Sequence, residues 1–288
     1  MQAARTALNG CAKAWAPARP GPQILAFILV VTAFPSALTS SVVQVSAQTA
    51  DSSVSQILDL LKQSMEKQVA GQLDQAIALS DRALKIAEKN LGPEHGTVLL
   101  SLATLAQLYD RKGDLDRAET CYRRALAIAE KASSGTEPSL TATLLNGLAR
   151  VHTLRGDFPS AEALYKRALD LQERTLGRED FQVATTLTNL GVMYQEKGDY
   201  QQAEQLLERA LAIREKATGS EELYVIQSLK SLASLYEIMG KYDKAGILLE
   251  RVVTRLEKLF GPDNPIVAPT LSDLALHYKN QGDFIKAE

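Results

Sequence analysis

The sequence predicts an all-α solenoid, a right-handed superhelix of stacked helix–turn–helix units with a concave inner wall. Three observations carry that expectation. Glycines recur at one period: Gly71, Gly113, Gly156, Gly198, Gly240 and Gly282 are spaced by 42, 43, 42, 42 and 42 residues, the mark of a repeat architecture. Apolar residues ahead of each glycine fall at helical spacing. The composition is 45% hydrophobic but only 6% aromatic, and its dominance by alanine and leucine favours helix over sheet.

Taken from the N-terminus, the first segment reads as an address. Residues 1–47 carry Arg5, Lys13 and Arg19 and no acid, and the apolar run Ile24–Phe34 follows the basic stretch. That run has the length of a signal-peptide core and is short of the roughly 20 residues a membrane span needs. Val45-Ser46-Ala47 places small or apolar residues three before and one before a bond, which fits cleavage between Ala47 and Gln48. Residues 1–47 are therefore expected to be an export signal, giving a secreted or periplasmic protein. Two alternatives stand beside it: a membrane anchor within residues 24–47, and an organelle transit peptide, which the long apolar core opposes. Residues 48–53 are expected to be a short linker.

The array is expected over 54–288, about five and a half units. Without residues 1–47 the chain holds 29 Lys+Arg against 34 Asp+Glu, a net charge of −5, which argues against nucleic acid or an anionic membrane as a partner. In each unit a first helix presents one apolar face, such as Leu102, Leu105, Ala106 and Tyr109, or Leu187, Leu190, Gly191 and Tyr194. The periodic glycine stops it, because glycine takes the left-handed conformation that closes a helix C-terminus. A second helix starts at the following Asp or its neighbour and carries Ala118, Cys121, Tyr122, Ala125 and Leu126 on one face. Small residues at Ala106, Ala149, Gly191, Ala233 and Ala275, and at Ala118, Ala161 and Ala203, let the paired helices approach. Further glycines, Gly92, Gly135, Gly177, Gly219 and Gly261, open the connectors. One unit cannot bury its own apolar face; stacked units can.

The pattern Leu-x-x-Leu-Ala-x-x-Tyr, then Gly-Asp, then Ala, then Arg-Ala-Leu resembles tetratricopeptide repeats. The 42-residue period and the connectors LGPEHGTV and FGPDNPIVA resemble the kinesin-light-chain subtype. Only His95 keeps that connector's histidine and only Pro265 its proline. The resemblance covers about residues 54–288. It implies the fold, and a protein or peptide ligand held in the groove lined by the first helices.

Comparing units within the chain separates scaffold from site. Arg82, Arg124, Arg167, Arg209 and Arg251 recur, as do Glu88, Glu130, Glu173, Glu215 and Glu257; they are read as outer-face charges that keep the stack soluble. Mapping the inward positions that the resemblance implies gives Gln107 and Arg111, Asn146 and Arg150, Asn189 and Gln195, and Lys230 as groove residues. Ala103, Asp110, Thr153, Thr188, Val192, Ser234 and Glu237 share their helix faces. Long donors there can pair with a peptide backbone or with acidic side chains; the competing reading is a solvated surface. The lysine–asparagine–arginine pattern by which related repeats clamp chaperone tails is not reproduced.

No enzyme is expected. No Gly-rich phosphate loop, metal-spaced Cys/His cluster or Ser–His–Asp set is visible, so no metal or other cofactor is implied. His152 takes a slot that holds tyrosine in other units, His277 a leucine slot, and Cys121 a leucine slot. The sixth unit stops at Glu288 as its second helix begins, leaving Leu271, Leu274 and Tyr278 short of a partner helix. The chain is therefore expected either to be a fragment of a longer protein or to dimerise, aggregate or fray through that unit. A second reading makes the array the sensor arm of a longer enzyme, since exported repeats of this subtype resemble the front halves of proteins that end in a caspase-like peptidase. A third, an intracellular motor-type cargo adaptor, conflicts with the leader. Trp15 is the only tryptophan, so cleavage near Ala47 leaves a mature protein without indole fluorescence. Intact-mass analysis of native material checks this; a mass that includes residues 1–47 contradicts it.

Overall fold

The computed structural model describes residues 47–131, 138–216 and 222–287 of the 288. The expectations for the segment before Ala47, and those for Gly135 and Gly219, lie outside the described residues. Among the described residues twelve helices run in order: α1 Ala47–Val69, α2 Leu73–Leu91, α3 Gly96–Lys112, α4 Leu115–Lys131, α5 Pro138–Leu154, α6 Phe158–Leu176, α7 Phe181–Lys197, α8 Tyr200–Lys216, α9 Glu222–Ile238, α10 Tyr242–Phe260, α11 Ala268–Asn280 and α12 Phe284–Ala287. No strand occurs among the described residues. Residues 48–53, expected to be a linker, belong to α1.

The corner between the two helices of a unit is built the same way each time. Gly198 sits at φ 88° and ψ 5°, a left-handed conformation that an L side chain adopts at a cost. Asp199 then donates its amide to Tyr194 O at 2.9 Å, the six-to-one bond of a Schellman cap. The same bond runs from Asp114 to Tyr109 O, from Asp157 to His152 O, from Lys241 to Tyr236 O and from Asp283 to Tyr278 O. The aspartate also caps the second helix of the unit. Asp114, Asp157, Asp199 and Asp283 each accept the amide of the residue three ahead through Oδ1, at 3.2–3.3 Å. Where Gln72 or Lys241 stands in that place, the second helix has no side-chain cap.

The corner lays the second helix against the first through small residues. Ala76, Ala118, Ala161, Ala203 and Ala245 are fully buried, as are Ala106 and Ala149. Leu102, Leu105, Leu187 and Leu190 fill the first-helix faces. Cys121 is half-buried rather than a full core residue. In the sixth unit Leu271 is exposed and Leu274 half-buried, but Tyr278 is buried against α10, with its hydroxyl donating to Glu250.

The recurring arginines and glutamates are more than a solvated coat. Arg124 pairs with Glu88 at 2.5 Å, Arg167 with Glu130 at 2.7 Å, Arg209 with Glu173 at 2.6 Å, and Arg251 with Glu215. Each arginine reaches the glutamate of the unit before it, so the pairs form a ladder across the units. Its rungs are half-exposed and worth about 0–1 kcal/mol each, against roughly 1.5–3 kcal/mol for burying one leucine. The ladder follows the stack; apolar burial drives it.

Gly147 shows how tightly α4 and α5 meet. A Cβ there would lie 2.3 Å from the Tyr122 ring, which is itself buried. Alanine in a helix interior gains about 1 kcal/mol over glycine, whereas overpacking a core costs about 1–3 kcal/mol, so the clash decides the sign. Gly147→Ala is expected to lower the urea midpoint. Tyr122→Leu, which copies Leu207 and Leu249 at the same slot, is expected to make Gly147→Ala neutral or favourable. Leu190→Ala, at a site 2% exposed, should cost about 2–5 kcal/mol.

Candidate functional site

The odd-numbered helices, the first of each unit, make one continuous row. α1 touches α3, α3 touches α5, α5 touches α7 and α7 touches α9, in addition to the second helices between them. Positions three or four apart share a helix face, so the expected inward residues form stripes that continue from unit to unit. The structure divides them into two groups.

Three of the seven expected groove residues tie first helices together. Arg150 on α5 donates through Nη2 to Asp110 Oδ2 on α3. The Asp110 side chain is 3% exposed, and burial pushes its carboxyl above the ordinary carboxylate range against the pull of Arg150. Asn146 donates to Thr186 Oγ1 on α7 at 2.7 Å, and Thr186 donates to Gln172 Oε1 on α6 at 2.6 Å. Lys230 lies 3.4 Å from Thr270 Oγ1 and 3.7 Å from Asp273 on α11. These side chains are half committed to holding the wall.

The other four are not. The side chains of Gln107, Arg111, Asn189 and Gln195 make no hydrogen bond or ion pair among the described residues. Arg111 is exposed and the other three are half-buried. Of the further residues on these faces, Ala103, Asp110, Thr153 and Thr188 are buried, while Ser234 and Glu237 are exposed. The wall therefore offers a cation and three neutral polar heads, with a polar seam fixed beneath them.

Gln172 and Arg214 are among the buried polar residues outside the sequence-predicted set. They occupy the slot that holds Ala87, Ala129 and Leu256 elsewhere. Arg214 donates through Nη1 to Ser228 Oγ at 2.6 Å and to Tyr224 O at 3.2 Å, and its guanidinium faces the Phe181 and Tyr224 rings at 5.5 and 5.8 Å. The signal that finds them is a polar residue standing in an alanine slot.

The histidines and the cysteine sit in structural surroundings. His95 caps α3, its Nδ1 accepting the Thr97 amide at 3.2 Å; Asp180 does the same for α7, accepting from the Gln182 amide at 2.7 Å. His152 stands in the tyrosine slot with Nδ1 2.9 Å from Asp157 and Nε2 3.9 Å from Glu119. His277 Nδ1 lies 3.0 Å from Glu237. Burial pushes the Cys121 thiol up to about 11, away from a thiolate nucleophile. No helix among the described residues is long and apolar enough to cross a membrane.

Burial holds the His95 imidazole below its ordinary value of 6.5. The unfolded chain therefore takes up this proton first as pH falls. Stability tied to His95 is complete above 6.5 and is lost as pH drops through the lower folded value. Urea midpoints compared at pH 7.5 and 5 should fall for the wild type. They should fall less for His95→Asn, which also caps a helix but does not titrate.

Comparison with known proteins places the architecture. A family model described as tetratricopeptide repeat matches residues 64–131, 140–216 and 224–288, and a second model of the same description matches 103–174. No curated protein matches the sequence significantly. Among solved structures, BtubC (BKLC) from P. vanneervenii is 25% identical with a TM-score of 0.62, over 75% of this chain and 86% of that one. A Podosopora anserina protein, described as a kinesin light chain with nearly identical TPR-like repeats, is 27% identical with a TM-score of 0.58, over 70% of this chain and 95% of that one. A Rap protein complexed with Competence and Sporulation Factor is 18% identical with a TM-score of 0.58, over 81% of this chain and 72% of that one, a likeness in fold alone.

Proposed function

The chain belongs to the tetratricopeptide repeat family, and we propose that it is an exported scaffold that holds a peptide or protein partner along the wall of its first helices. The observation that carries the reading is the split among the groove residues. Arg150, Asn146 and Lys230 are bonded between helices, which fixes the wall. Gln107, Arg111, Asn189 and Gln195 stand on it with their hydrogen-bonding capacity unspent. Side-chain amides can bond the backbone of an extended peptide, and an arginine can take a carboxylate as a fork. Repeats of this family serve protein–protein contacts, and the proposal assigns this chain binding and no chemical step. Export rests on the acid-free leader with its apolar core. Self-association through the sixth unit belongs to the same proposal, supported by the exposure of Leu271, Leu276 and Phe284.

A displayed peptide library selected against the full chain tests the groove. Selected peptides should bind the wild type and lose about tenfold or more in affinity when Gln107, Arg111, Asn189 and Gln195 are all changed to alanine, since each lost hydrogen bond to a ligand is worth about 0.5–1.5 kcal/mol. The variant should keep the wild-type melting temperature, because these side chains hold nothing else. Equal binding by the variant contradicts the reading.

A further inference from the structure

We propose that the outer face carries a second docking site, the groove between α8 and α10, and that it takes an amphipathic helix of a partner protein with opposite charges on its two flanks. The groove has a volume of about 350 Å³. Its floor is supplied by α9, through Leu232 and Tyr236, which pack between the two second helices. This site is separate from the wall of first helices and does not depend on the reading proposed for that wall.

The units of the chain supply the argument. Ile247 of α10 lines the groove and is 59% exposed, so the core does not need it. Its slot holds Ala78, Thr120, Ala163 and Gln205 in the earlier units. Facing it from α8 is Ala212, whose slot holds Lys85, Ala127 and Asp170. Successive outer grooves are thus flanked by Lys85 and Thr120, Ala127 and Ala163, Asp170 and Gln205, and Ala212 and Ile247. Only the last pair is apolar with a large side chain. A residue kept for stacking should recur with the stack; this one breaks the series by placing a branched aliphatic group toward solvent.

The walls name the partner. On α8 the groove is edged by Glu208 and Glu215, and on α10 by Lys244 and Arg251. Each pair is seven residues apart, two helical turns, so each wall presents one sign of charge along one line. Arg251 crosses to Glu215 and closes one end. Tyr236 donates to Glu208 at 2.9 Å, and Lys244 lies over the Tyr236 ring at 4.9 Å and 3.4 Å from Glu204. Between these clasps the opening is about 10 Å long, the rise of two turns. That length admits two apolar side chains presented at i and i+4 by an opposing helix. Arg251 and Glu215 neutralise each other and recur as scaffold, so the distinguishing charges are Glu208 and Lys244 at the other end. A basic residue on the helix flank toward Glu208 and an acidic residue on the flank toward Lys244 would complement them, as flanking charges do in paired helices.

The test uses the full chain and three synthetic peptide helices with the same leucine seam: one with lysines on one flank and glutamates on the other, one with lysines on both, and one with glutamates on both. Fluorescence anisotropy should show the split-charge helix binding tightest. Ile247→Gln, which restores the residue of the preceding unit, should weaken it about tenfold or more, the loss expected of a central apolar anchor. Its thermal melt should match the wild type, because the side chain is exposed. Arg111→Ala, on the wall of first helices, should leave the split-charge helix bound as before. Failure of that helix to bind, equal binding of all three helices, or indifference to Ile247→Gln each overturns the proposal. So does loss of binding in Arg111→Ala, which would place the helix on the inner wall. A sedimentation change caused by Ile247→Gln alone would make the occupant a second copy of this chain and would equally overturn it.

Discussion

At Gly198 the backbone holds φ 88°, a left-handed turn that costs an ordinary L residue about 1–2 kcal/mol. The amide of Asp199 at once bonds back to Tyr194 O while its carboxylate caps the next helix. Two residues thereby end one helix, reverse the chain and start another. The same corner closes at Gly113 and Gly156 and, without the capping aspartate, at Gly240. The rest depends on it, because only a return at a fixed angle brings Ala118, Ala161 and Ala203 against the neighbouring helix with no exposed surface left.

Once the corner repeats, the unit contacts repeat with it. Each second helix from α2 to α10 lies between two first helices, the first helices from α1 to α9 also touch one another in turn, and the arginine–glutamate pairs fall into line across units. The consequence for function is a division of labour. Positions that recur hold the stack, and positions that differ are free to carry recognition. On the inner wall the differing residues are polar, and part of them, Asp110 with Arg150 and Asn146 with Thr186, has been drawn into inter-helix bonds. On the outer face Ile247 is a large apolar departure from its slot.

The corners and core were legible because glycine, aspartate and alanine act there through local backbone chemistry that a single residue type reveals. The alanine and leucine faces read directly from helical spacing, and the repeat period aligned them. What stayed hidden required knowledge of neighbours about forty residues away. Arg150 and Gln107 occupy the same slot, yet only the first meets a buried carboxylate. The arginine–glutamate series was visible as a series, but not as pairs, because pairing is set by the rotation between units. Tyr278 looked stranded by its place in the sixth unit, and α10 buries it. The α1 helix extends through residues that composition alone presented as a linker.

Unit-to-unit differences on the first-helix wall, rather than the recurring residues, are held to determine binding. Hydrogen exchange of the full chain with and without a library-selected peptide tests this most directly. The account predicts added protection in residues 103–111 of α3 and 186–197 of α7, where Gln107, Arg111, Asn189 and Gln195 lie, with the second helices unchanged. Protection confined to the second helices, or spread evenly over all units, would contradict it.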